Sequence, residues 1–509
     1  MKLKQAIRAT AVAVVLGLAA TGCSTAAGSS GSSTPSAPQT LNLSIQAPPS
    51  NFSIGNWSGG DSTLYNSVYD SVLNVTPAGK LVPGLATSWS YSSNNLKLTF
   101  KIRTGQKFTD GETVNASAVA ASLKVARKAP STSGVLTSIS GVSAPNATTL
   151  VLTLSRPDAS LLTVLASNAG AVGAPEYLTA KSSQLTPVGS GAYTLDSKLT
   201  TVGSLYTLVR NPHNWNVAKY PFETVKVRVI ADPTASQNAL KDGQLDIGSV
   251  TASTLPQFPS SQFNKGVSLP QAVGSLYIAD RAGKVVPALA SVKVRRAINM
   301  AIDRNSIATK LLAGTHPTEQ VVGPTGPAYS KALDKTYAFN VAAAKKLMAE
   351  AGYAHGFSLT MPSTVVSQQV DSTISQELGA IGIKVTYETV AFQDFPTKVL
   401  SGDYGMFFMF NGYSGSAAGD ITSNTQGLFN PFNTTTPKLT ALLTAANAAP
   451  LDKQPAAFAA VNKYLVDQAW FAPIIYSTSP YVTSKKITYT PPVSTGLNLL
   501  PFGLAKSTK

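Results

Sequence analysis

Apolar and polar residues alternate with a period of two in several short stretches of the chain. Residues 41–45 (LNLSI) and 96–102 (LKLTFKI) show this alternation, which predicts half-buried β-strands. Residues 148–154 and 225–230 have similar patterns and are also predicted strands. No repeat of fixed period accompanies them, which argues against a solenoid or a propeller.

Helical periodicity is clearest in the second half of the chain. Residues 294–302 place apolar side chains at every third or fourth position, as a helix with one buried face requires. Asn340 is expected to cap a further helix, which Gly352 is placed to end. The pattern then predicts a strand over 357–361, a helix over 366–380 and a strand over 383–388. A strand, a crossing helix and a strand favour parallel pairing, so we predict an α/β lobe here.

The N-terminus has a different pattern. A basic start, an apolar run over 9–20 and small residues precede Cys23. The run is shorter than the roughly 20 residues of a membrane span and predicts a secretion signal over 1–22, followed by acylation of Cys23. The protein is therefore expected on the extracytoplasmic face of the cell membrane, anchored by lipid. Residues 23–40, rich in Ser, Gly, Thr and Pro, are predicted to form a flexible linker.

Composition narrows the class of protein further. About 470 residues follow the linker, more than one core usually holds, so at least two lobes are expected. The formal net charge is +16. The Lys and Arg residues are scattered, which favours a solvated surface over a patch for anionic lipid or wall polymer. The chain has no basic run and no zinc or aromatic RNA motif, so no nucleic acid partner is expected.

The residues that catalysis would need are not evident. The chain has no Gly-x-Ser-x-Gly elbow and no phosphate loop ending in Gly-Lys-Ser/Thr. His213, His316 and His355 are isolated and lack zinc-ligand spacing, which favours surface or loop positions. Paired carboxylates could still meet in a cleft. We expect a binding protein with no catalytic residues, no cofactor and no metal.

Short motifs follow one another in a fixed order along the rest of the chain. They are LVPGLATSWS from Leu81, LTFKIRTGQKFTDGETV from Leu98, PVGSGAY from Pro187, RNPHNW from Arg210, GQLDI from Gly243, VRRAINMAIDR from Val294, AAAKKLMAEAGY from Ala342 and LGAIGIKV from Leu378. The series resembles the family 5 extracellular solute-binding proteins of ABC importers, which include oligopeptide-, dipeptide- and nickel-binding receptors. The resemblance implies an α/β, two-lobed periplasmic-binding-protein-like fold of type II. It also implies an extra subdomain in the first lobe and a ligand cleft between the lobes.

The resemblance also implies a domain plan and a function. The first lobe is expected to comprise 41–61, 188–272 and 478–509, the extra subdomain 62–187, and the second lobe 273–477. The segments that connect the lobes are expected near 273–278 and 474–476. Such a protein, expected to be a monomer, captures a peptide or another small solute by lobe closure and delivers it to a permease with ATPase subunits. Two alternatives stay open, a secreted hydrolase and a cell-envelope adhesion or signal-receptor protein on the same scaffold.

Most motif residues are expected to have structural roles. Asp110 and Gly111 are typical of a turn, and Asn115 is expected to cap a helix from Ala116.

Two further pairs of motif residues also have structural interpretations. Gly189 and Gly191 are expected to adopt backbone shapes closed to other residues. Asp303 and Arg304 are expected to end a helix or to pair on its surface.

One departure from the family pattern bears on the ligand. In peptide-binding members a Gly-Trp pair is followed by an aspartate that meets the charged amino end of the peptide. Without a gap in the match, Tyr413 replaces the tryptophan and Ser416 the aspartate. A neutral hydroxyl cannot supply the charge-assisted bond that holds an ammonium group. If an insertion shifts the match, Asp420 could serve instead.

The candidate ligand-binding residues lie in loops that are expected to face the cleft, where aromatic rings give contact area and amides or hydroxyls give direction. They are Asn56, Trp57, Asn411, Tyr413, Ser416 and Asp420. Alternatively, Trp57 is a core residue and 412–419 is a mobile surface loop.

Overall fold

Strands and helices alternate throughout the part of the chain that the structure, a computed structural model, describes: residues 39–49, 51–56, 62–178, 186–312, 314–493 and 501–505. The helices are α1 (Ser62–Val68), α2 (Ala116–Ala126), α3 (Leu161–Val164), α4 (Pro233–Lys241), α5 (Val292–Ala301), α6 (Arg304–Ser306), α7 (Val341–Glu350), α8 (Gln368–Gly379), α9 (Phe395–Leu400), α10 (Ala417–Thr425), α11 (Pro437–Ala448) and α12 (Gln454–Asp467). The strands are β1 (Thr40–Ile45), β2 (Asp70–Ser71), β3 (Leu73–Val75), β4 (Leu81–Pro83), β5 (Ala86–Tyr91), β6 (Lys97–Ile102), β7 (Ile139–Asn146), β8 (Thr149–Leu154), β9 (Ala171–Val172), β10 (Tyr193–Leu195), β11 (Leu205–Arg210), β12 (Thr224–Val229), β13 (Ile247–Ser249), β14 (Phe263–Val267), β15 (Ala272–Ile278), β16 (Thr315–Pro317), β17 (Phe357–Ser363), β18 (Ile383–Thr389), β19 (Met406–Gly412), β20 (Ala472–Ser477), β21 (Pro480–Ser484), β22 (Ile487–Tyr489) and β23 (Phe502–Leu504). The predicted signal, Cys23, most of the predicted linker and Trp57 lie outside the described residues.

The first predicted strand is confirmed as β1, at one edge of a sheet with the order β1-β12-β11-β10. β1 runs parallel to β12, with Leu41 opposite Val225 and Leu43 opposite Val227. All four side chains are buried, because alternate residues of a strand point to the same face. The strand predicted over 225–230 is confirmed as β12.

The strands predicted over 96–102 and 148–154 are confirmed as β6 and β8, neighbours in an antiparallel sheet with the order β5-β6-β8-β7. Helix α2 packs on β7 and β8. As predicted, Asn115 caps α2, and its side-chain oxygen accepts a hydrogen bond from the Ala118 N–H at 3.0 Å. The predicted turn at Gly111 is also confirmed, with a φ of +93° that favours glycine.

The predicted strand, helix and strand of the C-terminal half are confirmed as β17, α8 and β18. β17 and β18 pair in parallel, and α8 packs on β18. The predicted apolar stripe of α5 is buried, at Val294, Ala297, Ile298 and Ala301. Helix α7 is capped by Asn340, which accepts from the Ala343 N–H at 2.9 Å.

The chain passes twice between two sheets, one with the order β13-β21-β14 and the other with the order β16-β20-β15-β19. The passages are residues 268–271 and 478–479, and they lie side by side. The Ser268 N–H donates to the Ser479 carbonyl at 2.9 Å, and the Ser479 N–H donates to the Ser268 hydroxyl at 2.9 Å. Only these short segments link the two sheets within the described residues, so a relative rotation of the sheets would bend few residues.

The buried apolar side chains fall into separate clusters. The largest draws on residues 41–227 together with Ile487, and two others draw on residues 276–475. A division of the core on this scale agrees with the expectation that a chain of this length forms more than one lobe.

The reason expected for Gly189 and Gly191, an unusual backbone conformation, is wrong. Neither Gly189 nor Gly191 has a positive φ. A Cβ on Gly189 would lie 2.1 Å from the Val68 carbonyl oxygen, and one on Gly191 would lie 2.4 Å from the Ser67 carbonyl oxygen. Glycine is required because the backbone approaches α1 too closely for any side chain.

The expectation for Asp303 and Arg304 is also wrong. Asp303 begins a helix rather than ending one, since its carboxylate accepts from the Ser306 N–H at 3.0 Å. Arg304 is buried, and its guanidinium donates to the carbonyls of Thr318, Pro473 and Asn299. Backbone carbonyls from distant parts of the chain take the place of a surface ion pair.

Three of the signature motifs meet around one half-buried carboxylate, Asp70 of β2. Its Oδ2 accepts from the Ser190 hydroxyl at 3.1 Å and from the Asn214 side-chain amide at 3.2 Å. The Arg103 guanidinium stacks on the neighbouring Trp215 ring at 4.0 Å. Burial raises the pKa of Asp70 to about 7, against the opposing effect of these hydrogen bonds. These motif residues contact one another within the fold, which agrees with the structural roles expected for them.

Candidate functional site

A cavity with about 590 Å³ of empty space, open solvent included, is bordered by four separate parts of the chain. One part is the tip of the hairpin β3–β4, the second is a pair of loops around 322–328 and 413–417, the third is Val493, and the fourth is Pro270 in the passage 268–271. The lining residues are Ala78, Gly79, Pro270, Val322, Gly323, Thr325, Gly326, Pro327, Ala328, Tyr413, Gly415, Ser416, Ala417, Asp420 and Val493.

The hairpin tip comes close to the opposite wall. Its turn is closed by the Gly79 N–H, which donates to the Thr76 carbonyl at 2.8 Å, and Gly79 has a φ of +79°. A Cβ on Gly79 would lie 2.9 Å from the Val493 side chain and 3.7 Å from the Gly415 carbonyl oxygen. Glycine thus meets both a conformational and a steric requirement here.

The carboxylate of Asp420 joins the two cavity loops. Its Oδ1 accepts from the Ser414 N–H at 2.7 Å and from the Ser414 hydroxyl at 2.8 Å. Its Oδ2 accepts from the Gly323 N–H at 2.9 Å. Because Asp420 is only 3% exposed, these three bonds replace most of the water that an ionised carboxylate would need.

Ser416 is the N-cap of α10, and its hydroxyl accepts from the Gly419 N–H at 3.1 Å. Asp420 lies in the first turn of the same helix, where a negative charge interacts favourably with the helix dipole. The side chain that stands where peptide-binding relatives are expected to carry an anchoring aspartate therefore has a local partner already.

Burial changes the protonation of the cavity wall. It raises the pKa of Asp420 to about 6, although the hydrogen bonds from Gly323 and Ser414 act in the opposite direction. Burial, reinforced by the negative charge of Asp420, raises the pKa of Tyr413 well above its ordinary value. The Tyr413 hydroxyl is buried without a hydrogen-bond partner in the described part of the chain. Tyr413 is thus a neutral side chain in the wall at physiological pH.

The loop 321–329 is fixed by the buried amide of Gln320. Its Nε2 donates to the Ser330 carbonyl at 2.9 Å, and its Oε1 accepts from the Ser330 N–H at 3.0 Å. Oε1 also accepts from Asn462, and Nε2 donates to Asp334 at 2.7 Å. The amide closes the two ends of the loop in the way that a neighbouring strand would.

The structure brings together three of the six candidate ligand residues, Tyr413, Ser416 and Asp420, at the wall of this cavity. Asn411 is half-buried, donates to the Ser423 hydroxyl at 3.0 Å and does not line it. Asn56 is exposed and does not line it either. Trp57 lies outside the described residues.

Sequence reasoning missed the other walls of the cavity. The hairpin tip reads TPAGK and the loop reads VVGPTGPAY, and both have the Gly and Pro spacing of tight turns. That composition was a usable signal for two ordered loops, but it does not tell which loops meet.

The three histidines are exposed, as the sequence predicts, and the ring of His316 stacks on Tyr476 at 5.0 Å. Within the described ranges no group of three or more His, Cys, Asp or Glu side chains is arranged to hold a metal ion.

Comparison with known proteins identifies the class of protein. Residues 80–483 match the model of the bacterial extracellular solute-binding proteins, family 5 Middle. The chain belongs to this family, as the motif series indicated.

Among curated proteins, the chain is similar to the glutathione-binding protein GsiB of Escherichia coli O1:K1 and of Escherichia coli strain K12. In both cases the identity is 27% over 330 residues. The match covers 62% of this chain and 63% of each relative, which is less than two thirds of their length.

Two solved structures with the same fold match over a larger share of their length than the curated relatives do. The unliganded open form of the periplasmic murein tripeptide binding protein MppA has a TM-score of 0.77 at 20% identity, over 92% of this chain and 98% of that one. NikA from Brucella suis, in complex with Fe(III)-EDTA, has a TM-score of 0.76 at 21% identity, over 91% and 99%. These likenesses confirm the predicted two-lobed α/β fold.

Proposed function

We propose that this protein is the solute-capturing component of an ABC importer, and that it takes up a peptide or another small solute in the cavity described above. The observation that supports the proposal is that the cavity walls come from parts of the chain that are far apart in sequence. The hairpin tip at Ala78 and Gly79 faces loops that belong to the other side of the molecule, at Gly323 and Gly415. A ligand that contacts both sides stabilises the closed arrangement, because only there are all contacts made.

The passages at 268–271 and 478–479 are the proposed hinge. They are short, adjacent and hydrogen-bonded to each other, so both can bend about one axis. We propose the domain plan that the resemblance implies. The connecting segments expected near 273–278 and 474–476 lie within β15 and β20, so the proposed hinge is a few residues away from them. The closed form would then be recognised by a membrane permease and its ATPase subunits, with the binding protein acting as a monomer.

We further propose that the protein works outside the cytoplasmic membrane, held by lipid at Cys23. The support is the basic start, short apolar run and small residues ahead of Cys23, together with the family. In the parts of the chain that the structure describes, no helix has the length and apolarity needed to cross a bilayer.

Capture is proposed to leave the solute unchanged. The support is that the GsiB relatives are named as binding proteins. The hydrolase and adhesion alternatives have no specific observation in their favour.

The test uses residues 24–509 produced as a soluble protein. Small molecules that accompany the purified protein are released by mild denaturation and identified by mass spectrometry, and each is then added back in a thermal-shift titration. A ligand of the folded state raises Tm in proportion to the logarithm of its concentration.

A matched pair of variants locates the binding. Ala78 is exposed on the hairpin tip and lines the cavity, so Ala78→Trp should fill the space and abolish the shift. Ala391→Trp, at an exposed position that does not line the cavity, should leave the shift intact. Recovery of the solute in a chemically altered form, or equal shifts for both variants, would contradict the proposal.

A further inference from the structure

The charge on the cavity wall restricts the chemical class of the solute. In the part of the wall that the structure describes, Asp420 is the one residue with a charged side chain at neutral pH, and no Lys, Arg or His takes part. The rest of the lining is Gly, Ala, Pro, Val, Thr, Ser and neutral Tyr. This wall is unexpected in a chain whose formal net charge is +16.

Along the chain, Lys80 is the one cation directly next to a lining residue. Residues 494–500, which follow the lining residue Val493 along the chain, read STGLNLL. The nearest cation along the chain is Lys80, which follows the lining residue Gly79. Lys80 is exposed and is not part of the lining.

The N-terminus of helix α10 is also unfavourable for a bound anion. The N-terminus of a helix attracts negative charge through its free N–H groups and its dipole. Here the Gly419 N–H is taken by Ser416, and the carboxylate of Asp420 already stands in the first turn. A bound carboxylate or phosphate would lie beside a like charge, and the described lining contributes no cation to offset it.

We infer that the cavity selects a non-anionic solute, neutral or cationic, that is rich in hydrogen-bond donors such as amine, amide or hydroxyl groups. Ser and Thr hydroxyls, loop carbonyls and the remaining acceptor capacity of the Asp420 carboxylate would receive these donors. Solutes with a net negative charge are disfavoured by charge rather than by size. This inference rests on the proposed function and makes it more specific.

The first experiment compares solutes in matched pairs that differ in charge. The pairs are trialanine amide with N-acetyl-trialanine, glutathione diethyl ester with glutathione, and glucose with glucose 6-phosphate, each added to residues 24–509 in a thermal-shift assay and then in calorimetry. Every compound that raises Tm should be a non-anionic member, and its anionic counterpart should bind at least about tenfold more weakly.

The outcomes separate the two claims. An anionic member that binds as tightly as its counterpart would overturn this inference while it supports the proposed function. If neither these compounds nor any solute recovered from the preparation binds, the proposed function fails, and the inference fails with it.

The second experiment changes the charge of the wall without disturbing its packing. Ala78→Lys places a cation on the exposed hairpin tip, and Ala391→Lys adds the same charge away from the cavity. The comparison uses the pair of solutes that binds, or the recovered solute and an anionic analogue. In Ala78→Lys, the ratio of the affinity for the non-anionic member to that for the anionic member should fall at least about fivefold. Ala391→Lys should leave it unchanged. An unchanged preference in Ala78→Lys would mean that charge is not selected in this cavity.

Discussion

The side-chain amide of Gln320 pairs with the backbone of Ser330 through two hydrogen bonds, of 2.9 Å and 3.0 Å, and so closes the loop that forms one wall of the cavity. The buried amide of Gln320 makes the paired donor and acceptor contacts that the backbone of a neighbouring strand would make. The geometry of the cavity therefore depends on a residue that does not line it.

We predict that Gln320→Leu loosens this loop. Gln320 is fully buried, and its removal leaves the Ser330 N–H without an acceptor, while the Asn462 amide loses one of its two acceptors and keeps the Ala328 carbonyl. Such losses cost about 1–3 kcal/mol in free energy of unfolding. Hydrogen exchange of residues 321–329 should accelerate more than that of α5. The control is Gln376→Leu at an exposed position of α8, and equal exchange in the two variants would contradict the role of Gln320.

The bonds between Asp420 and Ser414 give a graded prediction. Ser414→Ala removes one of the three donors to the carboxylate, whereas Asp420→Ala removes the acceptor for all three. Urea denaturation should show a loss of about 1 kcal/mol for Ser414→Ala and roughly 2–4 kcal/mol for Asp420→Ala. Equal losses would mean that the carboxylate does not join the two loops.

The pKa of Asp70 predicts how stability depends on pH. Its folded-state value of about 7 lies above the ordinary value of 3.8, so the folded protein binds more protons than the unfolded chain between these limits. The free energy of unfolding should therefore fall as the pH rises from about 4 to 7. The raised pKa values of Asp420 and Glu377 act in the same direction.

A variant isolates the contribution of Asp70. Asp70→Asn cannot ionise, so the fall in stability across this pH range should become smaller. The control Asp242→Asn, at an exposed position, should retain the full slope. A slope in Asp70→Asn as steep as that of the control would contradict the assignment. Urea denaturation at pH 4.5 and 7.5 measures all three proteins.

The close approach at Gly189 predicts a strong effect of one methyl group. Gly189→Ala would place a Cβ 2.1 Å from the Val68 carbonyl oxygen, so the backbone must shift, at a cost of about 1–3 kcal/mol or more. Gly134→Ala meets no atom within 4 Å and should change stability by no more than about 0.5 kcal/mol. Similar melting temperatures for the two variants would refute the steric explanation.

Elements with local signals could be predicted from the sequence. The cap at Asn115, the parallel pair β17 and β18 and the stripe of α5 all depend on periodicity or on neighbouring residues, and all are confirmed. Arg304 could not be placed, because its partners are carbonyls of Thr318 and Pro473, and nothing in the local pattern marks them.

The candidate site was predicted only in part for the same physical reason. Tyr413 and Asp420 were found through the family motif, but their neighbour Gly323 is far away along the chain. A contact between two loops is not marked by any periodic sequence pattern in either loop. For Gly189, the motif indicated a constraint, but the structure was needed to show that the constraint is contact with α1 rather than backbone conformation.

The central claim, capture of a solute by closure of two sides of a cleft, is tested most directly by a distance across the cavity. The protein without Cys23 has no cysteine, so spin labels can be attached at Lys80→Cys, beside the hairpin tip, and Lys331→Cys, beside the opposite loop; both positions are exposed. Pulsed electron double resonance is then recorded with and without the recovered solute. We predict that the solute replaces a broad distribution of distances with a shorter and narrower one. A distribution that stays the same at saturating solute would contradict the account.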